Sequence, residues 1–590
     1  MKKSLLFAAI AATALSAQAD WGTFEQPLAV FPQGTTIYGE SVSAGKNVTW
    51  TVIYRSSIDI NPDDPDAGSD VDKSVYSYVL QGVRSDGTLV FPEGGKVIAD
   101  YDNLSFTMFN NYVFTDRDDN AIVAAIDLRN SDRDERKFSI YLYKVSPDGE
   151  MLWGEDGLSP DGEKTIMNLT ATTFGQLSDG SYVVSYEGSD GNSAMSALTT
   201  YVQRISPDGA MLYGDTGIEK PWSFPIMVPS TDNQIFIVYC GGGGLQAMKL
   251  DVDGSDAWSK PVQLFTGTLG AGQTPAYATF GATEGIDGGL LAYWYGYTSG
   301  DGTLTYPYLS HVTYDGDLSF KGASDEGYCQ LAWEENWHAV DVKAIAAPDG
   351  EGFIAGWTNN YASSNGQGGT AIQRVSLDGE LLWGEDCGMP VCEPAMEDVS
   401  SIIGLCPDDK GNVGIFFDRG TKANGQNPYS SHVSKLRLID QTSGDPIWDE
   451  DVILTEADWS SNEFAFSMPE KNMWYFTWAK GRNTSYDEYA IRARGVNFDG
   501  TLTETVGIES VAAENGGMSV KADKGLLNVF APKATEASVV VYGMDGRVAA
   551  SLLDGTLREG NTTFTVNVPA GVYVVAVSTP EGDLTCKFVK

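Results

Sequence analysis

The stretch Val145–Gly157, VSPDGEMLWGEDG, returns as ISPDGAMLYGDTG from Ile205 and as VSLDGELLWGEDC from Val375. Aligning related segments on this phrase gives eight equivalent glycines: Gly87, Gly149, Gly209, Gly254, Gly316, Gly379, Gly444 and Gly500. A phrase that recurs at a roughly constant interval indicates a repeat architecture. The interval before Gly254 is the shortest of the series.

A second turn precedes each copy of the phrase. The segments that carry it are SAGKNVTWTVIY, DRDDNAIVAAI, LSDGSYVVSY, STDNQIFIVY, GIDGGLLAYW, APDGEGFIAGW, DDKGNVGIFF and PEKNMWYFTW. Asp-Gly, Asp-Asn or Lys-Gly between alternating apolar runs predicts a hairpin, because these residues accept the positive φ of a tight turn. Each repeat therefore contains two hairpins, and hence four strands.

The strand after this second turn ends in a bulky residue in every repeat. The series is Tyr54, Ile126, Tyr186, Tyr239, Trp294, Trp357, Phe417 and Trp478. These side chains emerge on one face of their strands, and full burial of such a side chain stabilises a fold by about 1.5–3 kcal/mol. We expect them to pack between neighbouring sheets.

Four antiparallel strands in each of eight repeats predict an all-β fold, an eight-bladed β-propeller over residues 20–508. A seven-bladed ring is the alternative, because of the short interval before Gly254. Asp148-Gly149 is then the turn between third and fourth strands, with Trp153 packing against the adjacent blade. The segment DWGTFEQPLAV from Asp20 resembles the text of an outer strand, which predicts that residues 21–30 close the last blade.

One repeat resembles a known family. LIDQTSGDPIW, Leu438 to Trp448, is similar to the tryptophan-docking repeat of quinoprotein-type eight-bladed propellers, with Asp440, Ser443, Gly444 and Trp448 at that family's spacing. The resemblance implies the fold. It does not imply a quinone cofactor, because the chain has no adjacent Cys-Cys pair; we expect no cofactor.

The repeat pattern ends before a linker at residues 509–517, and the sequence of residues 518–590 predicts a small C-terminal β-sandwich. The segments LLNVFAP, VVVYGMDGRV, VPAGVYVVAV and CKFVK resemble the type A C-terminal sorting domain of proteins exported by type IX secretion. The motif positions are Tyr542, Gly546, Arg547, Pro569, Gly571, Tyr573 and Lys587. The resemblance implies the type IX machinery as a partner. An ordinary β-sandwich spacer is the other interpretation.

The N-terminus has the three-part layout of a secretory signal peptide at residues 1–19. Lys2 and Lys3 precede the apolar run LLFAAIAATAL, and AQA ends at Ala19, which predicts cleavage before Asp20. No later apolar run approaches the roughly 18 residues that cross a bilayer. We therefore expect a secreted protein or one at the outer-membrane cell surface.

The charge balance disfavours polyanionic partners. The chain carries 38 basic and 80 acidic residues, a net charge of −42, which repels nucleic acid and anionic membranes. Three histidines leave little for a histidine metal site, and we expect no metal. The acidic loop from Asp59 to Asp72 lacks the EF-hand pattern, although its oxygen density would permit weak calcium binding. Cys387 and Cys392 are close enough in sequence for one local disulfide.

Binding residues are expected on the long connections, since those between second and third strands and between repeats are long and varied. The strongest candidate is WEENWH, in which Trp333 and Trp337 flank Glu334 and Glu335. The rings would stack on a sugar face while the carboxylates accept hydroxyl hydrogen bonds. Tyr295, Tyr297 and Tyr361 would enlarge this platform. The other interpretation is that Trp333 and Trp337 pack between the fifth and sixth blades.

Two functions remain open. The first is a non-catalytic module that binds a glycan or a surface protein. The second is a secreted hydrolase of polysaccharides, which would depend on carboxylates alone, because no Gly-x-Ser-x-Gly, His-Glu-x-x-His or P-loop motif occurs. Adjacent carboxylates such as Glu334 and Glu335 cannot face each other across a glycosidic bond at roughly 5–9 Å. The sequence therefore favours binding over catalysis.

Overall fold

The computed structural model describes the chain except for residues 1–25, 32–34, 59–73, 93, 102–111, 132–134, 136, 168, 189–197, 242, 271–278, 298–303, 321–325, 334–336, 362–367, 385–387, 393–398, 421–431, 456–459, 481–488, 503–517, 524–525, 544–546, 569–571, 581 and 590. The chain divides into two compact units, with the boundary between Leu502 and Thr503. Each unit consists of antiparallel sheets.

The first unit contains, within its described residues, eight sheets numbered here in chain order. It begins with the strand β1 (Gln26–Phe31), and the sheets follow. Sheet 1 contains β2 (Thr35–Ala44), β3 (Val48–Ile58), β4 (Ser74–Arg84) and β5 (Lys96–Ala99). Sheet 2 contains β6 (Tyr112–Thr115), β7 (Ala121–Asp127), β8 (Lys137–Val145) and β9 (Ile166–Met167). Sheet 3 contains β10 (Thr170–Gln176), β11 (Tyr182–Gly188), β12 (Thr199–Ile205) and β13 (Ile218–Lys220). Sheet 4 contains β14 (Ser223–Pro229), β15 (Ile235–Gly241), β16 (Gly244–Leu250) and β17 (Val262–Phe265).

The remaining sheets of this unit follow the same order. Sheet 5 contains β18 (Thr268–Leu269), β19 (Phe280–Glu284), β20 (Leu290–Tyr297), β21 (Tyr306–Val312) and β22 (Cys329–Gln330). Sheet 6 contains β23 (Trp337–Ala346), β24 (Phe353–Tyr361), β25 (Gly368–Val375) and β26 (Met389–Cys392). Sheet 7 contains β27 (Ile402–Pro407), β28 (Val413–Arg419), β29 (Val433–Ile439) and β30 (Val452–Ile453). Sheet 8 contains β31 (Ser460–Met468), β32 (Met473–Lys480) and β33 (Tyr489–Asn497), and β1 is its fourth strand. Short 3-10 turns at Ile286–Gly288 and Pro469–Lys471 lie in the first hairpins of sheets 5 and 8.

The first long strands of successive sheets are neighbours in space. β2 contacts β6, β6 contacts β10, and the series continues through β14, β19, β23, β27 and β31. β31 in turn contacts β2, so the series returns to its start. The all-β, propeller-like arrangement predicted from the repeats is confirmed.

β1 pairs antiparallel with β33, with Gln26 opposite Ala493 and Phe31 opposite Tyr489. A strand from the N-terminal end of the unit thus completes the sheet from its C-terminal end, which agrees with the prediction for residues 26–30; residues 21–25 lie outside the described residues. The last sheet is therefore held by residues far apart in sequence.

The short interval before Gly254 has a local cause. β15 and β16 are joined by a tight connection, with Gly241 paired to Gly244, where the other sheets have longer ones. Sheet 4 nevertheless has four strands. The interval is short because one connection is short, and no strand is missing from the sheet.

The bulky residues that end the second strands lie in the core. Ile126, Tyr186, Tyr239, Trp294, Trp357, Phe417 and Trp478 are all buried. Trp294 stacks with Tyr308, and Phe476 stacks with Trp478. The prediction of packing positions is confirmed for these seven; the side chain of Tyr54 lies outside the described residues.

The Asp-Gly phrase forms the turn after the third strand. Gly149 has φ 87°, and its N–H donates to Ser146 O at 2.8 Å, while Ser146 N–H donates to Glu150 O at 2.9 Å. This is a tight turn followed by a bulge with glycine in the left-handed region. All eight aligned glycines have positive φ.

The aromatic residue that follows this turn packs on the turn glycine of the next sheet. The pairs are Phe91 on Gly149, Trp153 on Gly209, Tyr213 on Gly254, Trp258 on Gly316, Trp383 on Gly444 and Trp448 on Gly500. Trp153 Nε1 also donates to Pro207 O at 3.3 Å, and Trp383 Nε1 to Thr442 O at 2.9 Å. The packing against the adjacent sheet that was predicted for Trp153 therefore occurs at six junctions between sheets.

Polar side chains of the third strands reinforce these junctions. Arg84 Nη2 donates to Pro147 O at 3.0 Å, and Arg204 Nη1 to Val252 O at 2.7 Å, so each guanidinium reaches the turn of the next sheet. Gln373 Oε1 accepts the N–H of Trp383 at 2.8 Å and fixes the docking residue. Gln81 and Gln203 act in the same way on Phe91 and Tyr213.

The second unit contains two further sheets. One has β34 (Ser519–Asp523), β35 (Leu526–Ala531) and β38 (Gly560–Thr565); the other has β36 (Thr535–Gly543), β37 (Val548–Leu557), β39 (Val572–Thr579) and β40 (Gly582–Val589). Both contribute to one core that includes Val520, Val529, Val539 and Val577. This unit therefore has a hydrophobic core of its own.

Candidate functional site: the loop rim of sheets 5 and 6

The two ends of the eight sheets differ. At one end, here called the turn rim, the tight first-to-second turns contact one another: Asn47 Nδ2 donates to Asp119 Oδ2 at 2.8 Å, and Ser178 Oγ to Thr231 O at 2.8 Å. The opposite end, here called the loop rim, carries the second-to-third connections and the connections between sheets. Most of these long stretches, including the acidic loop from Asp59, lie outside the described residues.

Trp333 is an exposed aromatic residue at the loop rim. It is 47% exposed, and among the tryptophan side chains that the structure describes it is the only one in the exposed class. The chain just before it is fixed, because Leu331 is fully buried and its N–H donates to Pro307 O at 2.8 Å. Ala332 is also buried. The indole is thus displayed on an anchored segment.

The other predicted platform residues differ in how far their side chains are described and exposed. Tyr297 is half-buried at the end of β20. The backbones of Trp337 and Tyr361 pair across β23 and β24, but their side chains lie outside the described residues. Glu334 and Glu335 also lie outside the described residues. Tyr295 is only 4% exposed and packs in the core with Leu291 and Leu309, so its ring is not available to a ligand.

A group of ionisable residues in sheets 6 to 8 was not predicted from the sequence. His432 Nε2 lies 3.1 Å from Asp418 Oδ2, and both side chains are buried. Burial lowers the pKa of His432, but the hydrogen bond and charge of Asp418, with the charge of Glu463, outweigh burial and raise it above its ordinary value. The signal was present in the hairpin register, since Asp418 pairs with Ser434, two residues after His432.

Asp341 belongs to the same group. It lies in β23 at an irregular step of the pairing with β24, with φ 52°, and its side chain is open to solvent. Protein atoms around the carboxyl displace part of its water and raise the pKa of Asp341 although the side chain reaches solvent; the charge of Lys343 opposes this shift, and the charge of Asp418 adds to it. Within the described residues no set of three or more His, Cys, Asp or Glu side chains is arranged to hold a metal ion.

Glu187 is a second buried carboxyl near the loop rim. It is 1% exposed, and one carboxyl oxygen accepts the N–H of Phe224 at 2.7 Å. Burial raises the pKa of Glu187 to about 7, and the hydrogen bond from Phe224 opposes the shift. Phe224 has φ 54°, a conformation that costs a non-glycine residue of order 1–3 kcal/mol.

The predicted disulfide is not formed. Cys392 is a free thiol, and its Sγ lies 3.0 Å from Ser400 Oγ. Its expected partner Cys387 lies outside the described residues. Cys392 ends β26 and lies beside Ser400, which precedes the first strand of sheet 7.

The sorting-motif positions of the second unit meet in one sheet where they are described. Tyr542 in β36 pairs with Val574, Tyr573 in β39 pairs with Gly543 and Phe588, and Lys587 in β40 pairs with Val574. The carbonyl of the exposed Arg547 accepts the Gly543 N–H at 2.9 Å. Gly546, Pro569 and Gly571 lie outside the described residues.

The described part of the chain contains no helix that is long and apolar enough to cross a membrane. No protein-family model matches the sequence. No curated protein matches it either.

Solved structures show distant likenesses. The polysaccharide lyase Uly1 is 9% identical with a TM-score of 0.39, over 68% of this chain and 93% of that one. An ulvan lyase of family PL25, bound to a glucuronic acid–sulfated rhamnose unit, is 8% identical with a TM-score of 0.37, over 80% and 94%. Prolyl oligopeptidase B from Galerina marginata is 10% identical with a TM-score of 0.33, over 77% of this chain and 55% of that one. Likeness at this level assigns no activity to the chain.

Proposed function

We propose that the eight sheets are the blades of one closed eight-bladed propeller, which is exported and binds a glycan at the loop rim without chemistry. The observation that carries the binding proposal is Trp333, an exposed indole on a segment fixed by buried neighbours. Aromatic rings present a large rigid face at low entropic cost, and concave or rim sites use them to hold ligands.

The neighbouring residues support the same place. Tyr297 is half-buried at the end of the adjacent strand β20. The backbones of Trp337 and Tyr361 are directly opposite each other at the corresponding end of sheet 6. Glu334 and Glu335 follow Trp333 in sequence and supply acceptors for sugar hydroxyls. A ligand class with apolar ring faces and many hydroxyl groups matches this set.

A glycan array tests the proposal. The intact protein is expected to retain at least one glycan class, and Trp333→Ala is expected to lose it. Leu382→Ala is the matched control, because Leu382 is 50% exposed but follows the third-to-fourth turn of sheet 6, at the turn rim. Equal binding by the intact protein and Trp333→Ala would remove Trp333 from the site.

A polysaccharide hydrolase remains the second candidate, and Asp341 favours it. Its carboxyl is exposed near the charge of Asp418, which helps to raise its pKa, and a general acid needs an accessible carboxyl with a raised pKa. Release of reducing sugar from a polysaccharide panel, abolished in Asp341→Asn, would support catalysis over binding. Binding without release of reducing sugar supports the first function.

We also propose that residues 1–19 direct export from the cytoplasm and that residues 518–590 act as a type IX sorting domain. The pairing of the strands that carry Tyr542, Tyr573 and Lys587 supports a single recognition surface. Deletion of residues 518–590 is expected to leave the protein in the periplasm of a host with type IX secretion, as measured by cell fractionation. Surface display of that deletion would contradict the proposal.

A further inference from the structure

A cavity of about 430 Å³ opens at the turn rim, at the opposite end of the sheets from the proposed glycan site. Its walls come from the first hairpins of four consecutive sheets, 2 to 5. Cavities between about 300 and 1,000 Å³ hold small-molecule ligands. The volume exceeds what one ordered water needs, so the feature can receive a molecule of several functional groups.

The cavity has one cationic and one anionic wall. Arg117 of sheet 2 and Glu284 of sheet 5 both line it and are exposed. Within the described residues neither forms an ion pair. Arg117 donates to backbone carbonyls only, from Nη1 to Leu177 O at 3.1 Å and Ser178 O at 3.4 Å, and from Nη2 to Gln176 O at 3.5 Å. Its backbone N–H also donates to Gln176 Oε1 at 2.9 Å. The guanidinium is therefore fixed in place while its charge is not neutralised by a carboxylate.

A buried hydroxyl supplies an independent sign of a ligand. Ser230 lines the cavity and is 6% exposed, and among the described residues its Oγ has no hydrogen-bond partner. A buried polar atom without a partner costs roughly 1–3 kcal/mol, and native proteins rarely leave one unless a ligand or water satisfies it. The hydroxyl is covered in this conformation, and a rotation about the Cα–Cβ bond of Ser230 would bring it towards a polar group of a molecule that fills the cavity.

The rest of the wall is apolar. Phe114 and Phe174 line the cavity and are half-buried, and Met227, Val228 and Pro229 line it with them. These side chains belong to the first strands of three successive sheets, and the hydrogen bond from Ser178 Oγ to Thr231 O joins two of the hairpins that frame the cavity. The apolar surface is thus part of a fixed frame and favours a ligand with an apolar body.

From these features we infer a second binding site, for a short peptide with free termini and apolar side chains. The positive charge of Arg117 attracts the peptide carboxylate, and the negative charge of Glu284 attracts the peptide ammonium. Ser230 Oγ, after rotation towards the cavity, bonds to a peptide carbonyl, and the apolar side chains lie against Phe114 and Phe174. A neutral sugar would use the hydroxyls of this cavity but would leave both charges without partners.

Isothermal titration of the purified full chain with the dipeptide Leu-Leu tests this site. Binding is expected, and N-acetyl-Leu-Leu and Leu-Leu-amide are each expected to bind at least about tenfold more weakly, because each lacks one terminal charge. Arg117→Gln is expected to abolish the preference for the acid over the amide. Glu284→Gln is expected to abolish the preference for the free over the acetylated amine, and Ser230→Ala to weaken all three ligands.

Lys410→Gln and Glu351→Gln are the matched controls, since both residues lie in first hairpins of other sheets, are exposed and do not line the cavity. Both controls are expected to keep both preferences, as is Trp333→Ala at the other rim. Absence of binding at about 10 mM Leu-Leu, a millimolar limit, would overturn the inference. So would preferences that persist in Arg117→Gln and Glu284→Gln, or displacement of Leu-Leu by the neutral disaccharide cellobiose.

Discussion

At the scale of single residues, the turn glycines combine two separate requirements. Gly316 needs its left-handed backbone, with φ 93°, and also leaves room for Trp258, since a methyl group there would lie 3.0 Å from a ring atom. Gly214 has φ 79°, but a methyl group there would have no atom within 4 Å. The two positions therefore separate the cost of conformation from the cost of docking.

Gly316→Ala is expected to lower the free energy of unfolding more than Gly214→Ala. Both substitutions carry the left-handed penalty of about 1–2 kcal/mol. Gly316→Ala adds overpacking of about 1–3 kcal/mol at the tryptophan contact. Urea denaturation of the two variants measures the difference, and equal losses would show that Trp258 adjusts without cost.

The buried Glu187 predicts a pH dependence of stability. Its pKa is about 7 in the folded protein, above the ordinary value of 4.5, so the folded state retains the proton at pH values where the unfolded state has lost it. Stability from this group is complete below pH 4.5 and falls as pH rises towards 7. The fall approaches about 3 kcal/mol, since one pKa unit corresponds to 1.36 kcal/mol.

Glu187→Gln is therefore expected to gain stability relative to the unmodified protein as pH rises from 4 to 8, with half of the free-energy gain near the middle of that range. The amide still accepts the Phe224 N–H. Glu150→Gln, at an exposed position, serves as the control in the same urea titrations. A stability difference that does not change with pH would show that Glu187 ionises freely in the folded state.

The candidate site shows where residue patterns stop being informative. Glycine turns were predictable because a positive φ is a local property of an Asp-Gly pair. Tyr295 was expected, with Tyr297, to enlarge the Trp333 platform from a nearby connection, yet Tyr295 lies within β20 and is buried. A strand between two neighbouring sheets is covered on both faces, and only a position at its end, such as Tyr297, reaches the rim. The pair of His432 and Asp418 was missed because it forms across a long connection.

At the scale of elements, β1 is the strand on which closure depends. It pairs with β33, so the two ends of the first unit are held in one sheet. This strand was predictable because the sequence from Asp20 resembles that of the outer strands of other repeats. A strand pattern is local in sequence even when the pairing partner is distant. The register could not be predicted, since it includes a shift between Pro27 and Ala29.

Deletion of residues 20–32 is expected to lower the melting temperature by several degrees and to broaden the transition, because β33 then exposes an unpaired edge. Deletion of residues 20–24 is the control, since it leaves all of β1. Thermal unfolding followed by circular dichroism compares the two. If the longer deletion melts like the intact chain, the pairing of β1 contributes little to stability.

At the scale of the whole molecule, the two units have separate hydrophobic cores. Val577 is fully buried in the core of the second unit, while Val548, in the same unit, is 60% exposed. Two separate cores predict two unfolding transitions. The presence of a second unit was predictable because the repeat pattern of the sequence ends at the linker. The extent of each core was not, because it depends on which faces of the strands meet.

Val577→Ala is expected to destabilise the second unit by about 2 kcal/mol through the cavity it leaves. Scanning calorimetry should show that one transition moves to lower temperature while the other stays. Val548→Ala is expected to move neither transition. A single transition that shifts as a whole would show that the two units unfold together.

The contacts between sheets also bear on how such a chain can change over evolutionary time. At six junctions an aromatic ring reaches forward to the turn glycine of the following repeat, and at two of these junctions the guanidinium of Arg84 or Arg204 reaches forward as well. After duplication or deletion of a repeat, the new neighbours would still carry the aromatic residue and the turn glycine that contact each other. The number of copies, more than the identity of any one, is therefore free to vary by whole-repeat gain or loss.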